Sequence, residues 1–126
     1  MKMIKTDNAP APGGHYTQGV LASGFLFVSG QLPITPEGRK LTDAPVEEQV
    51  KQCLENVEAI VKAGGGSKQS ISKITIYLAD MSLWDRVDKV YAPFFGDHKP
   101  ARAVVPASPL HFGLLVEIDA IAAVPG

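Results

Sequence analysis

The sequence predicts one α+β domain in which two helices cover one face of a β-sheet. Three observations lead to this fold class. The 126 residues are enough for one core and leave no room for a second. Apolar residues alternate with a period of two in some segments and follow helical spacing in two others. These segments occur in the order strands, helix, strand, helix, strands.

The first elements are a loop and a hairpin. Residues 8–14 contain two prolines and two glycines, which are typical of a loop. Residues 20–22 and 25–28 are short runs of strand-forming residues, so we predict an antiparallel pair that turns at Ser23 and Gly24. A second loop follows over residues 34–45, where prolines and a glycine interrupt regular structure.

A helix is predicted next, because one apolar stripe has helical spacing. Pro45 suits its first turn, Asp43 lies near its start, and the glycines at 64–66 end it. The stripe consists of Val46, Val50, Cys53, Leu54, Val57, Ile60 and Val61.

The second half repeats the alternation of strand and helix. Residues 74–78 alternate as in a half-buried strand, and residues 101–105 and 114–124 indicate two more strands. Between them lies a second helical stripe that stops at Gly96, with Ser82 and Asp85 resembling a capping box. Its members are Leu83, Val87, Val90, Tyr91 and Phe94. The two helices leave one sheet face bare, so we expect a homo-oligomer built on that face.

Composition argues against several classes of protein. A net charge of −1 disfavours nucleic-acid binding, which usually needs concentrated positive charge. The single cysteine cannot form an internal disulfide. No signal peptide and no membrane span is visible, so we expect a cytoplasmic protein.

We expect neither a metal nor a cofactor. His15, His98 and His111 lack the close spacing of zinc ligands. Cys53 belongs to the apolar stripe of the first helix and is expected in the core. The three glycines after that helix lack the lysine and the preceding strand of a phosphate loop.

Two charged residues within apolar strands are the candidates for chemistry. Glu117 shares a strand face with Leu115 and Ile121, where partial burial would raise its pKa and suit it to act as a base or to orient water. The guanidinium of Arg102 is suited to binding a carboxylate through two oxygens. The alternative is structural: Arg102 and Glu117 could pair with each other or with main chain.

Several motifs resemble the RidA (YjgF/YER057c/UK114) family. They are Pro-Ala-Arg-Ala-Val-Val-Pro-Ala-Ser-Pro-Leu at 100–110 with Val-Glu-Ile at 116–118, Gly-His-Tyr-Thr-Gln at 14–18, Phe-Val-Ser-Gly-Gln at 27–31, Glu-Asn at 55–56 and Val-Tyr-Ala-Pro-Phe-Phe at 90–95. They cover nearly the whole chain in the order of the family.

This resemblance implies a chorismate-mutase-like fold with a mixed sheet, assembled as a homotrimer with sites between subunits. It also implies hydrolysis, without a cofactor, of reactive 2-imino and 2-enamino acids to 2-oxo acids and ammonia. Arg102 would bind the substrate carboxylate, Glu117 would position the attacking water and Tyr16 would line the pocket. Main chain near Ser29, Gly30 and Val104 would complete the site.

Three positions depart from the family. Asp88 stands where many members have asparagine, and its charge would repel a substrate carboxylate unless it pairs with a cation; otherwise it is a solvated helix position. Val104 replaces a common cysteine at a position expected to act through its backbone N–H. His15 replaces a common proline beside Tyr16, which itself could be an interface aromatic without a catalytic role.

Two other functions remain as hypotheses. A non-catalytic module could bind a small 2-oxo or amino acid through Arg102, although Glu117 would have no use in such a receptor. Ribonuclease or translation-inhibitor activity, also attached to the family by name, is disfavoured because the sequence shows neither a histidine pair at acid–base spacing nor a basic stripe.

Overall fold

A computed structural model describes residues 1–125 as six strands, two α-helices and three single 3₁₀ turns. The strands are β1 (Lys2–Ile4), β2 (Gly19–Ala22), β3 (Phe25–Gln31), β4 (Ile71–Leu78), β5 (Ala101–Pro106) and β6 (Val116–Ala123). The helices are α1 (Val46–Ala63) and α2 (Trp84–Phe95).

All six strands form one mixed sheet in the order β1-β2-β3-β6-β4-β5. Every neighbouring pair is antiparallel except β4 and β5, which are parallel and are connected through α2. Parallel neighbours need such a crossover, because a tight turn can join only antiparallel strands. The predicted α+β fold with two helices on a mixed sheet is therefore confirmed.

The core lies between the sheet and the helices. Along β6, alternate residues are buried, so one face of this central strand points into the core and the other points away. The helical stripes predicted from the sequence supply the opposite wall. Core residues from the two layers include Leu26, Ile74, Ile76, Val116 and Ile118 of the sheet and Val50, Leu54, Val57, Val87 and Tyr91 of the helices.

The second face of the sheet has no helix over it among the described residues. On this face, the strand pairing aligns Met3, Val20, Phe27 and Ile121 across four neighbouring strands. Phe25 and Phe27 are 47% and 46% exposed there, an unusual state for large apolar side chains. The bare face expected from two helices on one sheet is thus present in the chain.

Helix α1 begins and ends where the sequence predicts. Pro45 occupies the N-cap position with extended backbone, and the helix ends at Ala63. After it, the N–H of Gly66 donates to the Val61 carbonyl, and Gly65 has φ of 95°, a left-handed conformation that glycine adopts without strain.

Two local predictions were wrong or incomplete. The capping box of Ser82 and Asp85 does not form: the Asp80 carboxylate accepts the Ser82 N–H at 2.9 Å and caps a 3₁₀ turn over Met81–Leu83, after which α2 begins. Asp80 lies two residues before Ser82 and accepts the backbone N–H that the predicted capping box would have paired with Asp85. Strand β1 was not predicted, because three residues are too few to show alternation.

Neither α-helix within residues 1–125 combines the length and the apolar character needed to cross a membrane.

We predict that Cys53 does not react in the folded protein. Its side chain is 0% exposed, and burial raises the pKa of the thiol well above its usual value, so the reactive thiolate is suppressed. A bulky maleimide should label Cys53 only in denaturant, which mass spectrometry would report. Rapid labelling in native buffer would contradict the burial of Cys53.

Candidate active site

Four of the predicted site residues line one cavity. Tyr16, Ser29, Gly30 and Glu117 line a pocket of about 540 Å³. Loop residues 10–14 form part of its wall, and the hydroxyl of Tyr16 accepts the N–H of Gly13 at 3.2 Å. The structure therefore brings these four residues together.

A β-bulge shapes the wall of this cavity. Between Val28 and Gln31, β3 carries one residue more than the segment of β6 that pairs with it, so Ser29 and Gly30 leave the regular ladder. The hydroxyl of Ser29 donates to the Thr17 carbonyl at 2.6 Å and ties the bulge to the preceding loop. The bulge turns the backbone of β3 towards the side chain of Glu117.

Gly30 and Glu117 fit together because Gly30 has no side chain. A Cβ atom at position 30 would lie 2.8 Å from Oε2 of Glu117, closer than van der Waals contact allows. The Glu117 carboxylate thus lies directly against the backbone of the bulge. The requirement for glycine here comes from this close approach, since the φ of Gly30 is not positive.

Glu117 is half-buried, and burial is the main cause that raises the pKa of its carboxyl. Asp119, on the same strand face, raises this pKa further, while His111 lowers it. The hydroxyl of Tyr77 donates to Oδ2 of Asp119 at 3.1 Å. No lysine or arginine within residues 1–125 forms an ion pair with Glu117. This carboxylate is therefore available to water or a ligand.

Arg102 lies in a second cavity, of about 290 Å³, together with Asp88 and Tyr91. Its Nη1 donates to Oδ1 of Asp88 at 2.7 Å. The guanidinium carbon lies 4.7 Å from the ring centre of Tyr91 and 5.4 Å from that of Trp84, which adds cation–π attraction. Asp88 is thus not a free, solvated helix position: it pairs with a cation.

The sheet separates Arg102 from Glu117. Arg102 is in register with the buried Ile74 of β4, and Glu117 is in register with Tyr77 of the same strand. Ile74 and Tyr77 are three positions apart and so point to opposite faces. The direct pairing of Arg102 with Glu117, left open by the sequence, does not occur within one chain. Val104 shares the face of Arg102, since it is in register with Ile76.

Three charged or aromatic residues that line the larger cavity were not predicted as site residues. Lys40, His111 and Phe112 line it, and the Lys40 ammonium lies 4.6 Å from the ring centre of Phe112. Lys40 lies in a loop without periodicity, and nothing in the sequence signals its proximity to Glu117. His111 had one usable signal, its position six residues before Glu117 on the approach to the same strand.

No metal centre is found among residues 1–125, where no three metal-binding side chains converge. His98 is engaged elsewhere, with Nε2 at 2.7 Å from the Ile71 carbonyl oxygen.

Comparisons with known proteins agree with this architecture. The sequence model of the family described as Endoribonuclease L-PSP matches residues 6–124. A RutC family protein of Pyrococcus horikoshii is 43% identical over 121 residues, 96% of each chain. The YjgF gene product of E. coli has a TM-score of 0.92 and 38% identity over 98% of both chains. E. coli TdcF, solved with bound serine, has a TM-score of 0.93 and 37% identity over 99% of this chain and 100% of its own.

The fold and the site thus define a small α+β protein of the L-PSP class. The chain belongs to the RidA/YjgF family, which its motifs at residues 14–18 and 100–118 predicted.

We predict that Gly30→Ala displaces the Glu117 carboxylate while the protein stays folded. The new methyl group would meet a flexible side-chain end, which can rotate away at little cost in stability. A crystal structure of the variant should show Glu117 in another rotamer. Gly13→Ala is the matched control, because its Cβ meets nothing within 4 Å. An unmoved carboxylate in Gly30→Ala would contradict the close fit.

Proposed function

We propose that this protein hydrolyses reactive 2-imino and 2-enamino acids to 2-oxo acids and ammonia, at a site shared by two copies of the chain. The observation that carries the proposal is the separation of Arg102 from Glu117 by the sheet. Each lies in its own open cavity, so a small ligand that contacts both must lie between protomers.

The planar guanidinium of Arg102 favours a ligand that carries a carboxylate. A guanidinium binds a carboxylate through two parallel hydrogen bonds, with more geometric specificity than an ammonium offers. The related TdcF of E. coli was solved with serine, an amino acid of the expected size. We therefore assign the α-carboxylate of the substrate to Arg102 of one protomer, facing the cavity of Glu117 in the next.

The reaction needs few protein groups, because an iminium carbon is already a strong electrophile. Water adds to this carbon and a carbon–oxygen bond forms. The first proton that water loses passes to nitrogen through the carboxylate of Glu117. The carbon–nitrogen bond then breaks as the carbonyl forms, and the hydroxyl proton of the intermediate passes to the departing ammonia. In total, an iminium and one water give a ketone and ammonium, with atoms and charge balanced. No cofactor takes part in this scheme.

The surroundings of Glu117 suit this proton transfer. Its pKa is raised by burial, and a carboxylate of higher pKa is a stronger base towards the attacking water. Tyr16 and the bulge at Ser29 and Gly30 limit the space around the water and the substrate. Positioning of this kind accounts for a large part of the rate enhancement of many enzymes.

We predict that the protein is a homotrimer, three times 13.4 kDa, which is the assembly that the family resemblance implies. The bare face with Phe25 and Phe27 exposes apolar surface that such association would bury. Multi-angle light scattering at micromolar concentration would measure the mass. A monomeric mass would overturn both the trimer and the shared site.

We predict that Arg102→Ala and Glu117→Gln are each nearly inactive but fail in different ways. Arg102→Ala should lose binding of 2-oxo acids, and Arg102→Lys should recover little of it. Glu117→Gln should retain binding and slow imine hydrolysis by roughly two to four orders of magnitude. An amino-acid oxidase would generate the imine in situ, and its decay would be followed with and without each protein.

Mixing the two inactive variants tests the shared site directly. If Arg102 and Glu117 come from different protomers, co-refolded Arg102→Ala and Glu117→Gln chains form some sites with both groups intact. Random assembly would restore about one quarter of the wild-type activity. No recovery in mixed oligomers would show that both residues act from one chain, or not at all. Full activity of Glu117→Gln would refute the mechanism.

A binding module without turnover is the second candidate, and the serine bound to TdcF favours it. Such a module would retain ligand affinity in Glu117→Gln and show no hydrolysis in the wild-type protein. Endoribonuclease activity, the description of the matching family, has less support. Among the described residues, the only structural support for this activity is that His111 and Lys40 line the same cavity as Glu117.

A further inference from the structure

The ion pair of Asp88 and Arg102 sets the charge of the carboxylate-binding group. Nη1 of Arg102 and Oδ1 of Asp88 are 2.7 Å apart, and the two side chains are 23% and 37% exposed. A ligand on the free edge of the guanidinium lies closer to Arg102 than to Asp88, so the negative charge of Asp88 offsets the attraction of Arg102 in part. An approaching carboxylate therefore meets a weakened cation rather than a free one.

The pair also fixes the orientation of the guanidinium. Only Nη1 is bound to Asp88, and the ring of Tyr91 supports the flat face. Among the described residues, Nε and Nη2 form no ion pair, so this edge of the guanidinium is available. That edge carries two parallel N–H groups and can hold a carboxylate through both oxygens.

Substrate and product differ in charge beside this pair. A protonated 2-imino acid carries a carboxylate and an iminium and is neutral overall, whereas the 2-oxo acid keeps only its negative charge. Asp88 repels the carboxylate of both ligands but attracts the iminium of the substrate alone. Its charge therefore lowers affinity for the product more than affinity for the substrate.

We propose that Asp88 is a positioning and specificity-determining residue, which holds Arg102 for bidentate binding and makes the site prefer zwitterionic ligands to anionic 2-oxo acids. The inference rests on the proposed function in one respect, the assignment of the ligand carboxylate to Arg102. The charge of Asp88 then also favours product release, because the 2-oxo acid has lost the positive charge that Asp88 attracts.

The test compares two probes, serine as the zwitterion and 2-oxobutanoate as the anion, by titration calorimetry on the intact oligomer. Asp88→Asn keeps a hydrogen-bond acceptor for Nη1 and removes the charge. It should bind 2-oxobutanoate roughly threefold to tenfold more tightly and change the affinity for serine less. Asp88→Ala removes the acceptor as well and should bind both probes more weakly than Asp88→Asn does.

Asp7→Asn is the matched control, since it removes one exposed negative charge beyond β1, at the opposite edge of the sheet from β5. It should leave both affinities unchanged. Equal shifts for the two probes in Asp88→Asn, or the same shift in Asp7→Asn, would overturn the charge discrimination. Affinities in Asp88→Ala equal to those in Asp88→Asn would overturn the positioning role.

These titrations do not require turnover, so the two proposals can fail separately. A wild-type protein that binds both probes but does not accelerate imine hydrolysis would refute the deaminase function, and the comparison of Asp88 variants would still decide the role of this residue. A wild-type protein that binds neither probe would overturn the inference about Asp88.

Discussion

The pairing of β6 between β3 and β4 is the constraint on which the candidate site depends. This central strand buries Val116 and Ile118 against the helices, and the alternation of a strand then forces Glu117 to the other face. A shift of register by one residue would place a carboxylate in the core. The apolar packing that stabilises the fold therefore also determines where the carboxylate lies.

The bulge at Ser29 and Gly30 adds local detail to that constraint. A regular β3 would continue its ladder past Glu117, whereas the extra residue brings a glycine backbone against the carboxylate. The half-buried carboxylate is costly to desolvate, and its raised pKa reflects that cost. The packing of the apolar face of β6 offsets this cost, so the carboxylate is held in a position that local energetics alone disfavour.

The sequence predicted those features that depend on periodicity. The long helix, its glycine end and the face of Glu117 were all visible, because burial imposes a period on residues close in the chain. Motif resemblance added the family. Neither the periodicity nor the motif resemblance could show that Arg102 and Glu117 lie on opposite faces of the sheet. That arrangement depends on the pairing of β4 with both β5 and β6. The contact of Lys40 with Phe112 was hidden because Lys40 lies in a loop without periodicity and meets a residue far from it in the chain.

The separation of Arg102 from Glu117 has a physical advantage for a shared site. Side by side in one chain, the two groups would form an ion pair, and a ligand would have to break it before binding. The sheet prevents this pairing, and Asp88 with Tyr91 keeps the guanidinium in a defined place instead. Under the proposed shared site, the folded protomer holds one half-site at Arg102 and another at Glu117. On this view, assembly of the oligomer supplies the missing half, and a folded but dissociated protomer binds its ligand weakly and does not turn it over.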